Sequence, residues 1–111
     1  MRTANELYNA HRAIIDECKE NICRELERIG KTEFCFEDYI NVVIWLDSAE
    51  EPQKERITSI SITESGQLYC LYSEYGYEVE INDVIKSEWL YLWEMVEQET
   101  KDLPTINEVC K

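Results

Sequence analysis

The apolar positions fall into two kinds of rhythm. Leu7, Ala10, Ile14, Ile15, Cys18, Ile22, Leu26 and Ile29 recur at three- and four-residue steps, the spacing of one helix face. Thr3-Ala4-Asn5-Glu6 has the spacing of a capping box, in which Thr3 accepts from the amide three residues on and Glu6 reaches back. Gly30 supplies a C-terminal stop. These signals predict a helix over 4–29.

From residue 33 the period changes to two. Phe34, Phe36, Ile40, Val42, Ile44 and Leu46 share one alternation, interrupted at Glu37-Asp38-Tyr39, where a bend or bulge is expected. Strand structure is predicted over about 33–47. Because Val43 and Trp45 are apolar on the opposite side, 40–46 is expected to be an interior strand covered on both faces. Further strands are expected at about 56–64, 67–73 and 77–81. Ser65-Gly66 reads as a two-residue hairpin, which sets Glu64 opposite Gln67, Ile62 opposite Tyr69 and Ile60 opposite Leu71. For the next turn a two-residue loop would aim Glu80 at the core. A three-residue loop, Glu74-Tyr75-Gly76, instead sets Leu71 opposite Val79, and that register is preferred. The inner face is then Ile60, Ile62, Tyr69, Leu71, Tyr77, Val79 and Ile81.

The helical period returns with Trp89, Leu92, Trp93 and Val96, giving a helix over about 84–100 that starts after Asp83 or with Ser87 as N-cap. Residues 103–111 form a tail that can add one turn at Thr105-Ile106-Asn107-Glu108. The predicted fold is a single α+β domain over 1–111: a long N-terminal helix, an antiparallel meander of four or five strands and a C-terminal helix, both helices on one sheet face.

Composition narrows what such a domain can do. Of 111 residues 44% are hydrophobic, enough for one packed core, and no stretch reaches the ~18 uncharged apolar residues of a membrane span. Five cysteines, with no C-x-x-C pair, read as reduced thiols, so a cytoplasmic location is expected. The net charge is −13, and its distribution is uneven. Residues 1–32 hold six basic and six acidic side chains, whereas residues 33–111 hold five basic and eighteen acidic ones. That balance disfavours direct contact with nucleic acid or anionic membrane and favours basic proteins at long range.

Candidate chemistry is sparse. His11 is the only imidazole, so a zinc site would need His11, Cys18 and Cys23 from one helix, and Cys23 lies round the helix from the other two. Glu37-Asp38 and Glu50-Glu51 are sequence neighbours whose side chains diverge in extended chain. Gly30, Gly66 and Gly76 stand alone, each with a turn or cap to explain it, and none opens a phosphate loop. No catalytic, cofactor or metal residue is assigned, and a non-enzymatic protein is expected.

Two features point to partners. The sheet face away from the helices is expected to carry Val43, Trp45, Leu68, Cys70 and Tyr72, rimmed by Glu78, Glu80 and Asp47. An apolar patch with a polar rim is the mark of an interface. A 26-residue helix spans ~39 Å against ~23 Å for a seven-residue strand, and a second subunit would cover the overhang. The expected function is therefore a small acidic protein-interaction domain, homodimeric, binding a protein through its outer sheet face. The alternative is an acidic inhibitor, DNA mimic or immunity-type protein opposing a basic nucleic-acid-binding protein. Length, acidity and element order look like the accessory reading frames of phages and mobile elements, without a motif that ties the chain to a family.

Overall fold

The computed structural model describes residues 2–8, 14–46, 50–63 and 65–105. Their order is α1 (Ala4–Tyr8), α2 (Ile14–Arg28), β1 (Glu33–Ile44), β2 (Gln53–Ile62), β3 (Leu68–Ser73), β4 (Glu78–Val79), a 3-10 turn (Ile81–Asp83) and α3 (Lys86–Thr100). The fold is α+β, with four antiparallel strands in the order β1-β2-β3-β4. The helix expected over 4–29 is seen as α1 and α2, and residues 9–13 between them lie outside the described residues. α2 alone spans ~22 Å, close to a seven-residue strand. The overhang inferred from a 26-residue helix is therefore not present in the described part.

Of the end signals, the Gly30 stop and the Thr3 half of the capping box are seen, without a bond from Glu6 back to the Thr3 amide among the described residues. The Glu6 amide donates to Thr3 Oγ1 at 3.3 Å. At the other end Gly30 takes φ 74°, which lets the Lys31 amide reach Leu26 O at 2.9 Å and the Gly30 amide reach Glu27 O at 3.1 Å. That pair of bonds satisfies two carbonyls the last turn would leave open.

A single cluster forms the core. Cys18, Ile22 and Leu26 of α2 and Trp89, Leu92, Trp93 and Val96 of α3 meet Phe34, Ile40, Val42, Ile57, Ile60, Leu71 and Val79 of the sheet. A polar clamp locks the two helices at one end. Glu25, although only 7% exposed, accepts from Arg28 Nε at 2.9 Å and from Thr100 Oγ1 at 3.1 Å. Arg28 also donates to the carbonyls of Thr100 (2.8 Å) and Leu103 (2.7 Å), capping the C-terminus of α3.

The sheet contains three irregularities that decide which side chains face out. On β1, Cys35 pairs with Ser59 and Ile40 with Ile57, so the excess residues fall at Glu37-Asp38-Tyr39, where the break in alternation placed a bulge. Between β2 and β3 the turn differs from expectation. The Thr63 amide donates to Gln67 O at 2.8 Å and Gly66 takes φ 81°, giving a three-residue loop rather than two. The offset is undone almost at once: Ile62 pairs with Leu68 but Ser61 pairs with Cys70, leaving Tyr69 as the extra residue, and Ile60 still meets Leu71. A third shift lies at Thr58, between the pairs Ile57–Ser73 and Ser59–Tyr72.

The β3–β4 hairpin has the expected register, Leu71 with Val79 and Tyr72 with Glu78. Gly76 at φ 86° closes its three-residue loop, with the Gly76 amide on Ser73 O at 3.0 Å and the Ser73 amide on Tyr77 O at 2.9 Å.

Several side chains of the expected inner face are corrected. Tyr69 and Tyr77 are exposed and Ile81 is only partly buried, because Tyr69 is the bulged residue and the β4 ladder ends at Val79. Nor is 40–46 covered on both faces: on the side away from Ile40, Val42 and Ile44, Asn41 and Trp45 are exposed and Val43 is only half-buried.

The chain then returns to β1. Val84 bridges Ile44, the Trp45 amide donates to Asp83 O at 2.6 Å and the Ile85 amide to Val43 O at 3.2 Å. Five residues from Val79 to Val84 reach at most about 17 Å. In a flat sheet a segment beyond β1 would lie four spacings from β4, about 19 Å. The sheet must therefore coil, and residues 83–85 clasp its two sides together. This clasp also sets the start of α3. Neither Asp83 nor Ser87 is the N-cap. Ile85 is, because the helix cannot begin until the chain has left β1.

Candidate functional site

The three irregularities redistribute the side chains expected on the outer face. Leu68 packs against the core and lines the groove between α2 and the β2–β3 hairpin, beside Lys19, Cys23 and Arg24. It belongs to the helix side because its pairing with Ile62 precedes the Tyr69 bulge. Val43 is half-buried in a crevice with Lys54, Glu88 and Tyr91 near the start of α3, and Trp45 beyond it is 45% exposed. Val43 pairs with Lys54, whereas Tyr72 pairs with Ser59. The five-residue step from Lys54 to Ser59 along β2 separates the two groups by roughly 16 Å. Cys70, Tyr72 and Glu78 stay together on β3 and β4. Tyr72 and Glu78 are direct cross-strand partners, Cys70 precedes Tyr72 by two, and Glu80 follows the paired stretch. Asp47 lies outside the described residues.

Around that group the structure assembles what the alternation did not reveal. Tyr39, Tyr69, Tyr75 and Tyr77 are 46%, 58%, 78% and 49% exposed; Tyr69, Tyr72, Tyr75 and Tyr77 lie on β3 and its hairpin with β4, and Tyr39 lies on the bulge of β1, across β2 from them. Tyr39 is presented by the β1 bulge and Tyr69 by the β3 bulge, while Tyr75 is held at the hairpin tip by the Gly76 turn. The available signal was the tyrosine content itself. The turn and bulge geometry that turns those rings outward has no local signature.

One cation sits among them. The Arg56 guanidinium carbon lies 4.8 Å from the Tyr39 ring centroid, and its Nη1 is 3.2 Å from Glu74 Oε2. The Glu74 hydrogen bond is the main reason the guanidinium is held charged more strongly than usual, with Tyr39 adding to it. Glu55 accepts from the Tyr77 hydroxyl, which raises that hydroxyl above its ordinary range. Tyr72 is pushed up to about 12, first by the neighbouring Cys70 thiol and then by burial and Glu78. The Tyr72 and Tyr77 hydroxyls are thus held neutral at pH 7, and the surface offers rings, hydroxyls and carboxylates. Cys70 itself is fully buried yet lies outside the core cluster. Its neighbours across β2 and β3 are Ser61, Ser59 and Tyr72.

Elsewhere the chemistry is simple. Among the described residues no three His, Cys, Asp or Glu side chains converge as a metal-binding set. His11 and Cys110 lie outside the described residues, so the pairing of His11 with Cys18 and Cys23 has no geometry here. Burial raises the thiols of Cys18 (to about 12) and Cys23, which makes both poor nucleophiles. Among the described residues no helix is long and apolar enough to cross a membrane. Comparison with protein-family models, with curated proteins and with solved structures gives no match, so any function must be argued from this surface.

Proposed function

We propose that the protein is a non-enzymatic acidic interaction domain that binds a protein partner through its outer sheet face, at the tyrosine-rich end made by β3, β4 and their hairpin. The exposed rings of Tyr69 and Tyr75 beside the cross-strand pair Tyr72–Glu78 carry this reading. A tyrosine ring brings large apolar area with few rotatable bonds and a polar tip, which is why interfaces are enriched in it. The bulges and the hairpin that present these rings cost regular pairing in the sheet, and bulges of this kind re-aim side chains next to functional surfaces.

The charge favours one branch of the reading. A surface this acidic is steered toward basic proteins, and if the partner is a nucleic-acid-binding protein the domain would act as its inhibitor. Self-association as a homodimer is the other branch.

Photo-crosslinking in the native cell tests the proposal. A photoreactive residue replacing Tyr75 or Tyr72 is expected to give a discrete protein adduct that the same residue at exposed Glu27 on α2 does not give. An adduct of twice 13.2 kDa would identify a second copy. Absence of any face-specific adduct would overturn the reading.

A further inference from the structure

We infer that the outer face at β3–β4 is built to hold guanidinium groups, so that the partner presents an arginine-bearing segment. This rests on the reading of that face as a binding surface and adds what it selects.

The protein contains an example of the contact. Arg56 lies over the Tyr39 ring at 4.8 Å while its fork reaches Glu74 at 3.2 Å, one aromatic face and one carboxylate sharing a guanidinium. The same two elements recur a short way along the face without a cation. Tyr72 and Glu78 stand directly opposite each other on β3 and β4. Glu80 follows, and the exposed Tyr69 lies on the same strand as Tyr72. Among the described residues no Lys or Arg lies within ion-pair distance of Glu78 or Glu80. Tyr72 is half-buried, so its ring is held in place before any partner arrives.

The chemistry discriminates between cations. A planar guanidinium stacks on a ring and still directs two N–H groups at a carboxylate, whereas an ammonium is a compact, strongly hydrated charge that cannot do both. Nucleic acid is disfavoured by the acids of this face, and a neutral apolar partner would leave Glu78 and Glu80 buried without a counter-charge. An arginine segment satisfies ring and carboxylate together.

The experiment uses the full-length chain and two labelled octapeptides, Arg-Gly and Lys-Gly repeats, followed by fluorescence anisotropy at about 0.1 M salt, where the Debye length is ~10 Å. The wild type is expected to bind the arginine peptide at least about fivefold more tightly than the lysine peptide, each ring–cation contact contributing about two- to fivefold. Tyr72→Leu and Glu78→Gln should each erase most of that preference, and Tyr72→Phe, which keeps the ring, should retain it. The double change Glu50→Gln and Glu51→Gln removes two exposed charges from another part of the surface and should leave the preference intact. Thermal melts confirm that each variant is folded. Equal affinity for the two peptides, or equal loss from Glu50/Glu51 neutralisation, would mean diffuse charge attraction only. Crosslinks at Tyr75 together with no arginine preference would overturn this inference and leave the interaction reading standing.

Discussion

Replacing Arg28 by methionine keeps most of the side chain's length and removes its charge and its fork. Among the described residues the Glu25 carboxylate, the Thr100 and Leu103 carbonyls at the end of α3 and the Thr105 hydroxyl then lose a donor. The Arg28 side chain is 29% exposed but that of Glu25 only 8%, so water can re-solvate part of the clamp and not the carboxylate. Breaking a fully buried pair costs about 3–5 kcal/mol, and a charged hydrogen bond contributes about 1.5–3. Partial access of water brings the expected loss to about 2–3 kcal/mol.

At ~2.1 cal/mol/K per residue, unfolding a chain of this length carries an entropy of about 0.23 kcal/mol/K. The melting temperature should therefore fall by roughly 9–13 °C. Circular dichroism, in a thermal melt and a urea titration, reads the change. The decisive arm is the double variant. Glu25→Gln in the Arg28→Met background removes the orphaned charge, while Thr100 Oγ1 still has Val96 O at 2.7 Å as acceptor. The double variant should thus recover more than half of the loss. Strictly additive effects, or a fall below about 4 °C for Arg28→Met alone, would refute the claim that the clamp is a desolvated unit.

Two further expectations concern the backbone and the thiols. Gly76→Ala meets open space and differs only in being forced to φ 86°. It should cost about 1 kcal/mol and Gly76→Asn less, read as thermal shifts; no loss in the alanine variant would mean that the hairpin relaxes freely. Folding raises the Cys18 thiol from 9.0 to about 12, so its stabilisation is complete below pH 9 and declines as pH rises through 9 to 12. The slope for one thiol is about 1.4 kcal/mol per pH unit. Urea midpoints of Cys18→Ala should therefore decline less steeply with pH than those of the wild type above pH 9, and parallel slopes would contradict the assignment.

What the sequence reveals here depends on how local the determining interaction is. The cap at Gly30 and the periodicity of α2 are set within one or two turns of helix and are legible. The β3–β4 register is legible because the competing loop would have aimed Glu80 into the core, a penalty visible in the pattern. The β2–β3 turn is not. Ser65-Gly66 suits a two-residue or a three-residue loop, and the bulge at Tyr69 cancels the difference by Ile60–Leu71, so the apolar pattern beyond the bulge is the same in both cases. Only the residues between turn and bulge change sides, and those are Leu68 and Tyr69.

The start of α3 was obscured for the opposite reason. Ser87 has the chemistry of an N-cap, but a pairing between Ile44 and Val84, forty residues apart, decides where the helix begins, and one long-range bridge leaves no periodicity. The candidate surface shows the same division. The Tyr72–Glu78 contact follows from register, whereas the outward turn of Tyr39 and Tyr69 follows from bulges.

The clasp of residues 83–85 on β1 also bears on how copies of the protein can meet. An exposed strand edge is a template for main-chain pairing with another chain, and so for swapping and aggregation. Here β1 is occupied at Val43–Trp45 by the clasp, is broken at Glu37-Asp38-Tyr39, and has its Glu37 amide taken by Glu99 at 2.8 Å. At the opposite edge β4 offers only two paired residues. Neither edge presents a long regular ladder, so association is steered away from strand addition and onto side chains. The tyrosine face can then be sticky toward a partner without the sheet being sticky toward itself.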